Sequence, residues 1–86
     1  MNPHDVILYP MMTERSLNMI ENENKLVFMV DRRSTKKDIS YAIKTLYEVE
    51  VERVNTLIAR NNQKKAFIKL KPEYDATDLA VKLGLL

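Results

Sequence analysis

The chain has 86 residues, 45% hydrophobic and 30% charged, with a formal net charge of +2. This length allows one domain and not two, and folding buries only roughly 60 to 65% of the chain's surface, so stability is modest and suits a subunit of a larger assembly. Cysteine is absent, no apolar run approaches the ~20 residues of a membrane span, and the polar start Met1–Asp5 is not followed by a signal-peptide stretch, so a cytoplasmic protein without disulfides or membrane insertion is expected.

Met1–Asp5 is expected to fray. Val6-Ile7-Leu8 then reads as a short strand stopped by Pro10, and Thr13 caps a short helix carrying Leu17 and Ile20 on one side. Asn22–Asn24 break this helix, and Leu26–Val30 follows as a strand with a largely buried environment on both faces. Thr35 with Asp38 three residues later marks a helix start, after which Ile39, Ala42, Ile43, Leu46 and Tyr47 repeat at helical spacing. A strand from Val49 or Val51 to Arg60, a polar connection Asn61–Gln63 and a strand Lys64–Lys71 form an antiparallel hairpin, because asparagine tolerates the positive φ of a tight turn. A last helix starts at Asp75, buries Leu79 and Leu83, and stops near Gly84.

The order is therefore β-α-β-α-β-β-α: one α+β domain over residues 1–86, with a small antiparallel-rich sheet and packed helices. The apolar pattern leaves open whether the helices cover one face or both. Crossover rules apply to the strand-helix-strand connections if the joined strands are parallel.

Catalysis needs groups that exchange protons, attack substrates or hold metals, and few combinations of them exist here. His4, the only histidine, sits in the terminus expected to fray and no cysteine accompanies it, which argues against a His-centred triad or zinc site, while the single glycine, Gly84, excludes glycine-rich phosphate loops. Helix capping accounts for Asp75 and Asp78 without a metal. No cofactor, metal or small-molecule substrate is expected. Tyr41, Tyr47 and Phe28 fall at core-compatible positions, and Phe67 alone is too few aromatics for the stacking platform of an RNA-recognition sheet.

Charge distribution is more informative than net charge. From Arg53 to Lys71 there are six basic residues (Arg53, Arg60, Lys64, Lys65, Lys69, Lys71) and no acidic one, so the rest of the chain sums to −4. A second group, Arg32, Arg33, Lys36 and Lys37, lies at a predicted helix start. Together they could form a phosphate-binding footprint; two solvated lysine-rich edges are the plainer reading. Strand alternation puts Ala66, Ile68 and Leu70 on one face and Lys65, Phe67, Lys69 and Lys71 on the other, so one face packs while the other meets phosphates. Such contacts position a protein on RNA without reading its sequence.

Three blocks resemble a known family. Lys64-Lys65-Ala66-Phe67-Ile68-Lys69-Leu70-Lys71, with Leu79 further on, is similar to the C-terminal signature of large-subunit ribosomal protein family twenty-three. Val51-Glu52-Arg53-Val54-Asn55-Thr56-Leu57-Ile58 resembles its third-strand motif, and Pro10-Met11-Met12-Thr13-Glu14-Arg15-Ser16 its N-terminal Pro-x-x-Thr-Glu-Lys-Ser segment. The blocks stand in the family's order and span nearly the whole chain. The resemblance implies a ribosomal protein that contacts large-subunit rRNA near the polypeptide exit tunnel. It also implies a neighbouring ribosomal protein of family twenty-nine and a docking surface for nascent-chain factors such as the signal recognition particle. Carried over by residue, it implies rRNA contacts at Thr13, Arg15, Ser16, Asn55, Thr56, Lys64 and Lys65, and factor docking at Glu14. Charge adds Arg32, Arg33, Lys36, Arg60 and Lys69 to the rRNA-binding candidates. Bacterial members carry a long basic loop between the last two strands; the short Asn61–Gln63 connection here looks archaeal and gives no expectation of a tunnel-lining role.

The competing readings are a free-standing RNA-binding or regulatory α+β module, which would form an apolar pocket or a dimer, and a small enzyme, which the scarcity of reactive groups disfavours.

Overall fold

The computed structural model describes residues 1–86. A single helical turn, α1 (Pro3–Val6), precedes β1 (Ile7–Pro10), α2 (Glu14–Glu23), β2 (Lys25–Val30), α3 (Lys36–Tyr47), β3 (Val51–Ile58), β4 (Lys64–Leu70) and α4 (Ala76–Lys82). The α+β class and the order of strands and longer helices are as the sequence predicts. The N-terminus is a correction. Instead of fraying, it is capped by Asn2, whose side chain accepts from the His4 amide at 3.0 Å, and it turns Val6 into the core with 1% of its surface exposed. Burial of one valine gives this short turn its anchor, since an isolated turn is unstable by itself.

The four strands form one sheet in the order β1-β2-β4-β3, and every adjacent pair is antiparallel. β2 and β3 therefore run parallel with β4 between them, so α3 is a crossover connection, while β1 and β2 are direct antiparallel neighbours joined through α2. The connection from β3 to β4 is Ala59–Gln63. In it Asn62 takes φ 67°, and the Ala59 amide donates to the Gln63 carbonyl at 2.8 Å. Three residues lie between that closing pair, one more than a two-residue turn, with the asparagine in the left-handed position as its chemistry favours.

The core forms between one sheet face and the helices. Leu26, Phe28 and Val30 of β2, Ala66, Ile68 and Leu70 of β4 and Val54 of β3 share a buried cluster with Ile39, Ala42 and Ile43 of α3. Ala76, Leu79 and Ala80 of α4 and Ile20 of α2 complete it. Phe28 is fully buried and stacks on Tyr47, ring centroids 6.1 Å apart. Tyr41 departs from expectation: 62% exposed, it lies on the solvent side of α3. Val27 and Met29 are also buried but lie outside this cluster, on the opposite side of β2, which accounts for the apolar run in this strand.

Both edge strands carry an irregularity that redirects side chains. In β1 the register shifts between Ile7 and Tyr9, so Ile7 pairs with Val30 while Tyr9 pairs with Met29, and Leu8 is left 56% exposed. In β3 the shift between Val51 and Arg53 pairs Val51 with Leu70 but Arg53 with Lys69. Residues two apart normally share a face; a bulge separates them. Val51 thus packs on the core while Arg53 joins the other face, and the bulges blunt both sheet edges against further strand pairing.

Candidate nucleic-acid interface

The sheet face turned away from the core is defined by strand register. Its rows are Tyr9, Met29, Lys65 and Leu57; then Val27, Phe67 and Asn55; then Lys25, Lys69 and Arg53. Four of the residues in these rows are cations and none is acidic. Lys25 is held at 3.3 Å by Glu23, whereas Arg53, Lys65 and Lys69 make no ion pair. Lys65 and Lys69 are half-buried, as long side chains are when they lay their aliphatic stems along a surface. The face therefore offers positive charge on an apolar base.

The start of α2 borders this face. Thr13 is the helix cap: its hydroxyl accepts from the Ser16 amide at 3.0 Å, while Ser16 Oγ accepts from the Thr13 amide at 2.8 Å. Ser16 Oγ also donates toward the carbonyls of Met11 and Thr13, and the residue is only 3% exposed. Its hydroxyl is thus committed to shaping the turn. Glu14 and Arg15 are exposed in the first turn. Arg15 reaches a cleft of about 140 Å³ between α2 and the sheet, floored by Met11, Met19, Val27, Leu57 and Phe67, with Lys65 also at its rim.

The pleat separates candidates that are adjacent in sequence. Asn55 is exposed on the open face beside Phe67, but Thr56 pairs with Ala66 and turns toward the helices. Lys65 is on the open face, whereas Lys64 points the other way and its ammonium donates to the Ser34 carbonyl at 2.6 Å. Lys64 is thus a tie between β4 and the loop before α3. Lys69 joins the open face and Arg60 is exposed in the hairpin loop.

The second basic group is divided. Arg33 forms a two-pronged contact with Asp31, Nε to Oδ1 and the terminal nitrogen to Oδ2 each at 3.2 Å, which holds the Asp31 carboxyl below its usual range. Arg32 and Lys36 are exposed and make no ion pair. Asp75 caps α4 by accepting from the Thr77 amide at 2.8 Å. The sequence singles out neither Tyr9 nor Lys25 as an interface residue, and Arg53 only as a member of the basic cluster. Two of them reach this face only through the edge-strand bulges, and a bulge leaves no reliable mark in sequence.

The family model for ribosomal protein L23 matches residues 5–78. The chain belongs to that family. It is similar to proteins called large ribosomal subunit protein uL23 in Methanococcus aeolicus, 49% identical over 85 residues, and in Methanothermobacter thermautotrophicus, 51% identical over 85 residues. The counterpart in Methanococcus vannielii is also 51% identical, and each match covers 99% of both chains. The protein is thus an archaeal-type ribosomal protein of the large subunit, in a family of structural components and not of enzymes. No helix is long and apolar enough to cross a membrane.

Proposed function

We propose that the chain binds large-subunit rRNA near the polypeptide exit tunnel through the open sheet face, the start of α2 and the hairpin loop. The observation that carries this reading is the placement of Arg53, Lys65 and Lys69 on one sheet face, none of them held in an ion pair. Lysine and arginine here would neutralise phosphates and release counterions, giving an affinity that falls with salt. Arg15, Arg60 and Lys69 extend the same surface, Thr13 and Asn55 supply neutral hydrogen-bonding groups, and Arg32 and Lys36 form a separate, smaller basic site. Ser16, Thr56 and Lys64 support the surface from behind, and Arg33 is engaged by Asp31.

In this reading Glu14, exposed beside Arg15, contributes to a docking surface for nascent-chain factors such as the signal recognition particle, and a ribosomal protein of family twenty-nine is the neighbour. The resemblance of the Pro10–Ser16 block supports both. The test is a filter-binding titration of the chain with deproteinised large-subunit rRNA at several salt concentrations. Replacing Arg53, Lys65 and Lys69 together by Gln should flatten the plot of log affinity against log salt by about two charges' worth or more. An unchanged slope refutes the reading.

A further inference from the structure

The cleft between α2 and the open sheet face differs from the rest of that surface. Its lining is largely apolar, with Met11, Met19, Val27, Leu57 and Phe67, and its volume is about 140 Å³. Leu57, on the floor's outer side, is 54% exposed, an apolar side chain given to solvent on a face otherwise marked by cations. Arg15 and Lys65 stand at the rim, no carboxylate lines the cleft, and the Asn55 amide lies on the same face directly across from Phe67. Phosphate contacts alone require charge and no apolar pit. A pit with cations at its rim and a neutral amide beside it matches a flat, apolar-faced group with a polar edge, attached to an anionic backbone.

We infer that this cleft receives one unpaired nucleotide of the rRNA. The base enters against the Phe67 ring and the methionine and leucine side chains, Asn55 faces its polar edge, and Arg15 and Lys65 hold the phosphates on either side. Base recognition by a protein favours nucleotides that are free of a helix, because the deep groove of an RNA duplex admits no side chains and a splayed base can be stacked. The inference rests on the proposed rRNA binding and specifies what part of the RNA this end of the surface takes. It also gives the surface a means of reading a base, which phosphate contacts lack.

The experiment is chemical probing of deproteinised large-subunit rRNA bound to the full chain, with dimethyl sulfate and a uridine- and guanosine-selective carbodiimide reporting base edges and hydroxyl radicals reporting the backbone. The wild-type chain should protect one unpaired base within its backbone footprint. Phe67→Leu and, separately, Leu57→Ser should lose that protection, keep the backbone footprint, and lower affinity by roughly five- to a hundredfold with an unchanged salt slope. Leu57 is largely exposed, so its replacement tests the cleft even if Phe67→Leu impairs folding. Lys65→Gln should instead reduce the salt slope. A backbone footprint without any protected unpaired base, or protection that survives both apolar replacements, overturns the inference while leaving rRNA binding intact. Absence of any backbone footprint with the wild-type chain overturns both.

Discussion

Lys64 Nζ donates to the backbone carbonyl of Ser34 at 2.6 Å, joining the first residue of β4 to the loop that leads into α3. Ser34 is itself 1% exposed and its hydroxyl donates to the Asp31 carbonyl, so the lysine ties down an ordered loop. A hydrogen bond from a charged donor contributes about 1.5 to 3 kcal/mol when partly buried. Lys64→Gln should therefore lower unfolding stability by about 1 to 2 kcal/mol in a urea titration and leave the salt dependence of rRNA binding unchanged. Lys65→Gln should show the reverse pattern: near-normal stability and a smaller salt slope. Equal effects of the two on the slope would place both ammonium groups on the RNA.

Besides Asn62, two non-glycine residues occupy the left-handed region, Asn24 with φ 55° and Glu48 with φ 57°, and they should respond oppositely to glycine. The Asn24 amide donates to the carbonyls of Tyr74 at 2.9 Å and Leu70 at 3.3 Å, and its oxygen accepts from the Ala76 amide at 2.7 Å, so one side chain joins the end of α2 to the start of α4. Asn24→Gly should destabilise by roughly 2 to 3 kcal/mol despite a compatible backbone, because these bonds go unmade. Glu48 is exposed and makes no side-chain hydrogen bond or ion pair, so Glu48→Gly should stabilise by about 0.5 to 1 kcal/mol by relieving an unfavourable φ. Thermal unfolding of the two variants checks both signs.

The cap of α3 sets an acid limit. Asp38 accepts from the Thr35 amide at 2.9 Å, and this bond, with help from the Thr35 hydroxyl, holds the Asp38 carboxyl below its usual range. A depressed carboxylate contributes stability above its unfolded pKa and loses that contribution as the pH falls through the folded value, so the loss belongs below about pH 4. Asp31, lowered by Arg33, adds to the same window. Asp38→Asn keeps an acceptor for the Thr35 amide and should give a shallower fall in urea midpoint between about pH 4 and pH 2. An identical fall in both proteins would remove Asp38 from the account.

Glu14 is exposed in the first turn of α2, where a carboxylate interacts favourably with the helix dipole by about 0.3 to 1 kcal/mol. Glu14→Gln should lower stability by no more than that and leave ribosome assembly normal. If Glu14 also docks nascent-chain factors, variant ribosomes should bind the signal recognition particle more weakly at the same salt. Equal affinity would leave it a purely structural role.

The Thr35–Asp38 cap, the helical repeat from Ile39 and the alternation in Lys64–Leu70 were legible because each depends on local chemistry with a fixed period. That same period could have separated Asn55 from Thr56 and Lys64 from Lys65, yet a block resemblance names consecutive residues together although a pleat sends neighbours to opposite faces. The placements of Tyr9 and Arg53 were not legible, since each depends on a bulge set by pairing with a strand distant in sequence. Ser16 carries a related lesson, since its hydroxyl is committed to the turn, and Asn24, legible only as a helix break, has its partners some 50 residues away.

If the sheet has one face for the core and one for RNA, lysine acetylation footprinting of the chain bound to deproteinised large-subunit rRNA will show it without any variant. Lys65 and Lys69 belong to the open face, while Lys44 on α3 and Lys82 on α4 are exposed on the helical side. Relative to the free chain, Lys65 and Lys69 should become protected and Lys44 and Lys82 should react as before. Protection of Lys44 and Lys82, with Lys65 and Lys69 reacting as in the free chain, would contradict the account.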